Sequence, residues 1–153
     1  MPLGFLPVEP PSGGEVKNGR KKEETMPKLL NVSNHSFHNW EESQKEGWGW
    51  NIIDVPFPQI DPTSSIEEVR GKARQLVTLI RGHCNNNDTI FVMLQGEFTF
   101  CYLTLLELQK ERVPVSLAIP TTERKVVEEK LPDGSVKKSS IFKFVQWRII
   151  PLG

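Results

Sequence analysis

The run Thr89-Ile-Phe-Val-Met-Leu94 constrains the fold more than any other stretch of the chain. It is β-rich and continuously apolar, with no polar alternation. A strand apolar on both sides is one covered on both sides, as in parallel sheets whose crossovers lay chain over each face. Other segments fit such a sheet. Lys28-Leu-Leu-Asn-Val-Ser33 reads as a first strand and Asn51-Ile-Ile-Asp-Val55 as a second, stopped by Pro56 and Pro58. Pro114-Val-Ser-Leu-Ala-Ile119 reads as a fourth. Helical stretches separate them: Trp40 to about Gly47, Ser64 or Ser65 to about Arg81, and Phe98 to Arg112. In the second helix Ile66, Val69, Ala73, Leu76, Val77 and Ile80 recur at spacings of three and four. The third helix is apolar nearly all round, which predicts deep burial. Lys125–Leu131, the turn Pro132-Asp-Gly134 and Ser135–Ile150 read as a closing hairpin.

The order β-α-β-α-β-α-β with right-handed crossovers predicts a mainly parallel sheet, strand order about 2-1-3-4, with helices on both faces. The C-terminal hairpin extends one side of it or packs across. A chain of 153 residues suits one domain, over residues 27–153. Residues 1–26 differ: Pro2, Pro7, Pro10, Pro11 and Gly13-Gly14 break regular structure, and Asn18–Thr25 is polar without period. They read as a disordered tail, or as an annotated extension before a true start at Met26.

Lysine plus arginine numbers 19 and aspartate plus glutamate 19, so no basic excess supports binding to long nucleic acid. No apolar run approaches the roughly 18 residues that span a bilayer. Cys84 and Cys101 lack CxxC spacing, which points to a reduced, cytoplasmic setting. His83 beside Cys84 has no further ligands at zinc spacing, so neither a metal nor a cofactor is expected.

In open parallel sheets ligands bind beyond the carboxyl ends of the strands, where strand order reverses. Three loops are expected there. Ser33-Asn34-His35-Ser36 offers hydroxyls, an amide and an imidazole, either to hold a phosphate or sugar or simply to cap a turn. An imidazole works as acid or base near neutral pH, which makes His35 the candidate there. In Gln95-Gly96-Glu97-Phe98-Thr99, Gly96 removes a side chain at a helix start, so the following amides point at a natural anion site. Glu97 either favours the helix dipole, binds ribose hydroxyls or moves a proton. Thr121-Thr122-Glu123-Arg124 adds two hydroxyls and a guanidinium. Arg124 is either a phosphate fork or the partner of Glu123 or Glu128 in the hairpin. Tryptophans 40, 48, 50 and 147 stack a base or fill the core.

The blocks Leu29-Leu-Asn-Val-Ser-Asn-His35, Ile53-Asp-Val-Pro-Phe-Pro58, Leu94-Gln-Gly-Glu-Phe-Thr-Phe100 and Thr121-Thr-Glu-Arg124, followed by Pro132-Asp-Gly134, resemble small CRISPR-associated Csx-type accessory proteins of type III systems. The likeness covers nearly all of residues 28–150, and the Gln-Gly-Glu and Thr-Thr-Glu-Arg blocks are its most specific parts. It implies a CARF-like, Rossmann-like domain that binds cyclic oligoadenylate as a homodimer. It further implies a ring nuclease that degrades this antiviral messenger, cyclic tetra-adenylate being the expected ring, without a metal. The ribose 2′-hydroxyl would attack the adjacent phosphorus. His35, Glu97 and Arg124 are then the catalytic candidates. Ser33, Asn34, Ser36, Gln95, Gly96, Phe98, Thr99, Thr121 and Thr122 are the ligand-binding ones. The competing expectation is a sensor that binds the ligand without cleaving it, or a regulatory interaction protein.

Overall fold

The computed structural model describes residues 16–17, 20–21, 26–49, 51–85 and 88–152. Most of the expected tail lies outside these residues, as do Trp50 and the Asn86-Asn87 pair. Within the tail, Val16–Lys17 and Arg20–Lys21 form a short antiparallel ladder.

The domain is mixed α/β. Its elements in chain order are β1 (Met26–Ser33), a 3-10 turn (Phe37–Asn39), α1 (Glu42–Lys45), β2 (Ile52–Pro56), α2 (Ile66–His83), β3 (Asp88–Leu94), α3 (Phe98–Lys110), β4 (Val115–Lys130) and β5 (Val136–Pro151). The sheet runs β2-β1-β3-β4-β5. Strands β2, β1, β3 and β4 are parallel; β5 returns antiparallel to β4. The expected 2-1-3-4 order therefore holds, with the hairpin extending the β4 side.

Right-handed crossovers explain where the helices lie. The chain moves one way from β1 to β2 and the opposite way through β3 to β4, so the first crossover lies on the opposite face from the other two. Both long helices, α2 and α3, cover one face. There Val69, Ala73, Leu76, Val77 and Ile80 of α2 and Phe100, Leu103 and Leu108 of α3 pack on Leu30, Val32, Ile90, Val92 and Val115. Among the described residues the other face carries only the turn, α1 and the loop to β2. Trp48 is 1% exposed there and sets its ring edge-on to Phe91 and Trp147 at 5.2 and 5.6 Å between centroids. Trp147 Nε1 donates to the Gln44 carbonyl at 3.1 Å, tying this cover to β5.

Two expectations need correction. The third helix is not buried all round: Phe98, Tyr102 and Leu106, spaced four apart, are exposed. Only one side of α3 has sheet beneath it, so among the described residues no element covers the apolar residues on its far side. The second correction concerns Thr121–Arg124, which do not form a loop. They lie inside β4, which continues to Lys130 and pairs with β5 throughout. Strand β3 pairs with β4 only from Val115 to Leu117, so beyond that point β4 and β5 run out as a two-stranded ribbon. A bulge between Thr121 and Thr122 marks its base. The β-branched content of Thr121-Thr122 and Val126-Val127 suits this extended pairing.

Candidate functional site

The reversal of strand order falls at β1, which lies between β2 and β3. The chain leaves β1 toward one face and β3 toward the other, and in open parallel sheets a ligand crevice forms between two such loops.

On the β1 side the site grows from two polar residues in otherwise apolar strands. Asn31 of β1 and Asp54 of β2 stand directly opposite each other in the parallel register. Asn31 is 1% exposed, so each of its polar atoms must find a partner or pay the cost of lost water. Its Nδ2 donates to Asp54 Oδ1 at 2.8 Å and to the His35 carbonyl at 2.9 Å. Its Oδ1 accepts from Ser33 Oγ at 2.7 Å. Ser33 Oγ also lies 3.2 Å from both the His35 N–H and the His35 carbonyl. Asp54 receives Ser36 Oγ–H at 2.7 Å and the Phe37 N–H at 3.1 Å. The Ser36 hydroxyl in turn accepts the His38 N–H, capping the 3-10 turn. Loop 33–37 is thereby pinned at both ends to the sheet.

Partial burial raises the Asp54 pKa. The hydrogen bonds from Ser36, Asn31 and the Phe37 N–H, with His38 nearby, outweigh it and hold the carboxyl below its ordinary 3.8. Asp54 is an anchored carboxylate at neutral pH. The His35 backbone is fixed while its side chain is exposed. The His38 ring lies tilted against that of Phe37, 4.2 Å between ring centroids. Ser33, Asn34 and Ser36 line a shallow cavity of about 240 Å³ with Asp54 and Pro56.

On the β3 side the Gln95 N–H donates to the Val32 carbonyl at 3.1 Å, which holds the two loops in register. Gly96 is required by packing: a Cβ there would drive into the ring of Phe57, which meets Phe100 edge-on at 5.0 Å. The anion site expected at the start of α3 is already filled by the chain itself. Glu97 caps α3 and its Oε1 accepts the Phe100 N–H at 2.7 Å. That backbone bond, against slight desolvation and with help from Thr99, keeps the carboxyl below its ordinary range. Glu97 is thus engaged as a helix cap rather than poised to exchange a proton. Phe98 is 78% exposed and stacks on Tyr102 at 6.2 Å. Glu97 and Thr99 line a separate cavity of about 240 Å³ with Asp61 and Ser64.

The expected residues therefore fall into three places. Ser33, Asn34, His35 and Ser36 meet at the β1–β2 end. Gln95, Gly96, Glu97, Phe98 and Thr99 meet at the start of α3. Thr121, Thr122 and Arg124 stand on the ribbon: Thr121 Oγ1 donates to the Gln146 carbonyl at 3.1 Å, and Arg124 Nε to Ser140 Oγ at 3.0 Å. Arg124 pairs with neither Glu123 nor Glu128; Glu128 meets Lys138 instead. Asn31 and Asp54 are the residues of this cluster that sequence reasoning passed over. Their signal was a lone polar residue in each of Leu-Leu-Asn-Val and Ile-Ile-Asp-Val.

A family model described as uncharacterized protein MJ1673 matches residues 27–148. The chain belongs to that family. Its match begins one residue into β1 and ends within β5, so it covers nearly the whole sheet and the ribbon. Neither curated proteins nor solved structures gave a match.

Proposed function

We propose that this protein is a Rossmann-like, CARF-related domain that binds cyclic oligoadenylate in the crevice between the β1 and β3 loops, as a homodimer, and cleaves it. One observation carries the reading. His35 is held by its backbone at both its N–H and its carbonyl, while its imidazole is exposed and carries no hydrogen bond among the described residues. A fixed main chain beneath a free imidazole positions an acid–base group without committing it.

The surroundings suit a nucleotide. The exposed amide of Asn34 can meet sugar and phosphate oxygens, and the exposed Phe98 ring offers a stacking face for adenine. A cyclic ligand with repeated phosphates matches a two-fold pair of such sites. In the reaction His35 takes the proton from a ribose 2′-hydroxyl. That oxygen attacks the adjacent phosphorus in line, and the bond to the 5′-oxygen breaks. The leaving oxygen receives a proton, and a 2′,3′-cyclic phosphate remains. No step calls on Glu97, which is spent on its helix, or on Arg124, which stands on the ribbon.

The test is incubation with cyclic tri-, tetra- and hexa-adenylate in EDTA, followed by chromatography and by calorimetry. Conversion of one ring to linear cyclic-phosphate products is expected. His35→Ala should lower turnover by about 10²–10⁴-fold and leave ligand affinity nearly intact. Binding without conversion would assign the protein as a sensor; no uptake of any ring would overturn the proposal.

A further inference from the structure

The ribbon leaves the sheet with apolar side chains uncovered. Val126, Val136 and Phe142 are 58%, 54% and 63% exposed. A two-stranded ribbon alone is marginal in water, and clustered exposed apolar groups mark contact surfaces. Cross-strand register assigns its two faces. One face carries, row by row toward the tip, Arg124 with Phe142, Val126 with Ser140, Glu128 with Lys138, and Lys130 with Val136. The Arg124–Ser140 hydrogen bond and the Glu128–Lys138 ion pair, at 3.6 Å, show these side chains together on that face. It continues at the base into Phe144, which touches Trp147 at 5.6 Å between ring centroids. The opposite face offers Val127 and Ile141 along the ribbon and Val145 at the bulge.

We infer that this first face clasps the same face of a second copy, ribbons antiparallel, about a two-fold axis through the Val126 row. The charge order favours it. Turning one ribbon end for end over the other sets β4 above β4, with Val126 on Val126. Arg124 then faces Glu128 of the second copy, and its Glu128 faces Arg124 in return. Phe142 meets Lys138 across the interface, an aromatic–cation contact, and Phe144 meets Val136. Every contact off the axis occurs twice, and Val126 meets its own copy on it, as a two-fold interface requires. The clasp names a surface for the dimer proposed above, yet it rests on the ribbon alone and not on any ligand.

Two charge reversals test it in the full chain without ligand. Arg124→Glu should set two pairs of glutamates face to face, and Glu128→Arg two pairs of arginines. By sedimentation equilibrium each variant alone should dimerise more than about tenfold more weakly than the unaltered protein. Mixed one to one, the two variants should recover dimerisation, because opposite charges meet again only between different copies. Val126→Glu should also abolish the dimer, whereas Val127→Glu on the other face should not. Single variants that associate like the unaltered protein, or a mixture that stays monomeric, would overturn the clasp. Neither result would touch the crevice reading, which the incubation with cyclic oligoadenylates judges separately.

Discussion

Asp54 accepts three donors in β2: Asn31 Nδ2, Ser36 Oγ and the Phe37 N–H. Only a carboxylate can take all three, since an amide in its place offers one acceptor oxygen and adds donors. Asp54→Asn should therefore release the loop while leaving the apolar core untouched. Amide exchange at Phe37 is the measurement, and acceleration of at least about tenfold is expected from losing charge-assisted bonds. The pH dependence has a fixed sign. The folded pKa lies below the ordinary 3.8, so Asp54 supports the fold fully above that value and loses its contribution as pH falls through the lowered one. A carbon-detected titration of its carboxyl should give a midpoint below 3.8; a midpoint above it would mean that the three donors do not dominate. Asn31→Ala strips the buried link between Ser33, His35 and Asp54, and should cost roughly 1–3 kcal/mol in denaturant unfolding. Neither residue stood out in the sequence. Each is one polar letter in a strand, and its meaning comes from a parallel register between residues 23 apart. His35 was legible because the whole Ser-Asn-His-Ser cluster sits at a strand end, where topology alone predicts a site.

Local pattern decided most elements and failed at one. Helix α2 announces itself by its apolar spacing, and Ser65 with Glu68 forms the full capping box that Ser-x-x-Glu implies. Strand β3 needed only its apolar run. Strand β4 was misread because Pro120 and the two threonines after it look like a break. The break is absent because β4 has already parted from β3 at Leu117, so one side of the strand needs no donor, and Pro is tolerated at such an edge. What extends β4 is a partner strand after a distant turn, a non-local cause that periodicity cannot carry. Gly96 shows the converse case: a glycine suited to cradling a phosphate is required instead by the ring of Phe57. Gly96→Ala should cost about 1–3 kcal/mol by overpacking. Trimming the ring with Phe57→Leu should make the same alanine cheaper, so a thermal-unfolding double-mutant cycle should give a clear coupling. Additive costs would place the requirement for Gly96 elsewhere.

At the scale of the molecule, the ribbon and the layered body answer to different forces. Residues from Glu123 to Lys143 supply no member of the buried core, whose last pieces along β4 and β5 are Ala118 and Trp147. Thr122 and Phe144 are cross-strand partners, so a two-residue Asn-Gly turn can join them once the segment between is removed. The shortened chain keeps Phe144, whose N–H donates to Glu41 at 2.7 Å and holds the cover over Trp147. Its melting temperature should therefore shift by only a few degrees, the effect of about 1 kcal/mol in a domain of this size. Association between copies should be lost at the same time, because the surface that joins them is gone. If cyclic oligoadenylate needs the crevices of two copies together, its affinity should fall with the dimer even though every crevice residue remains. Calorimetry on the shortened chain separates the alternatives: unchanged affinity would place the whole ligand on one protomer. A collapse in melting temperature would instead mean that the ribbon folds as one cooperative unit with the sheet, and that its exposed valines and phenylalanine stabilise the body that carries them.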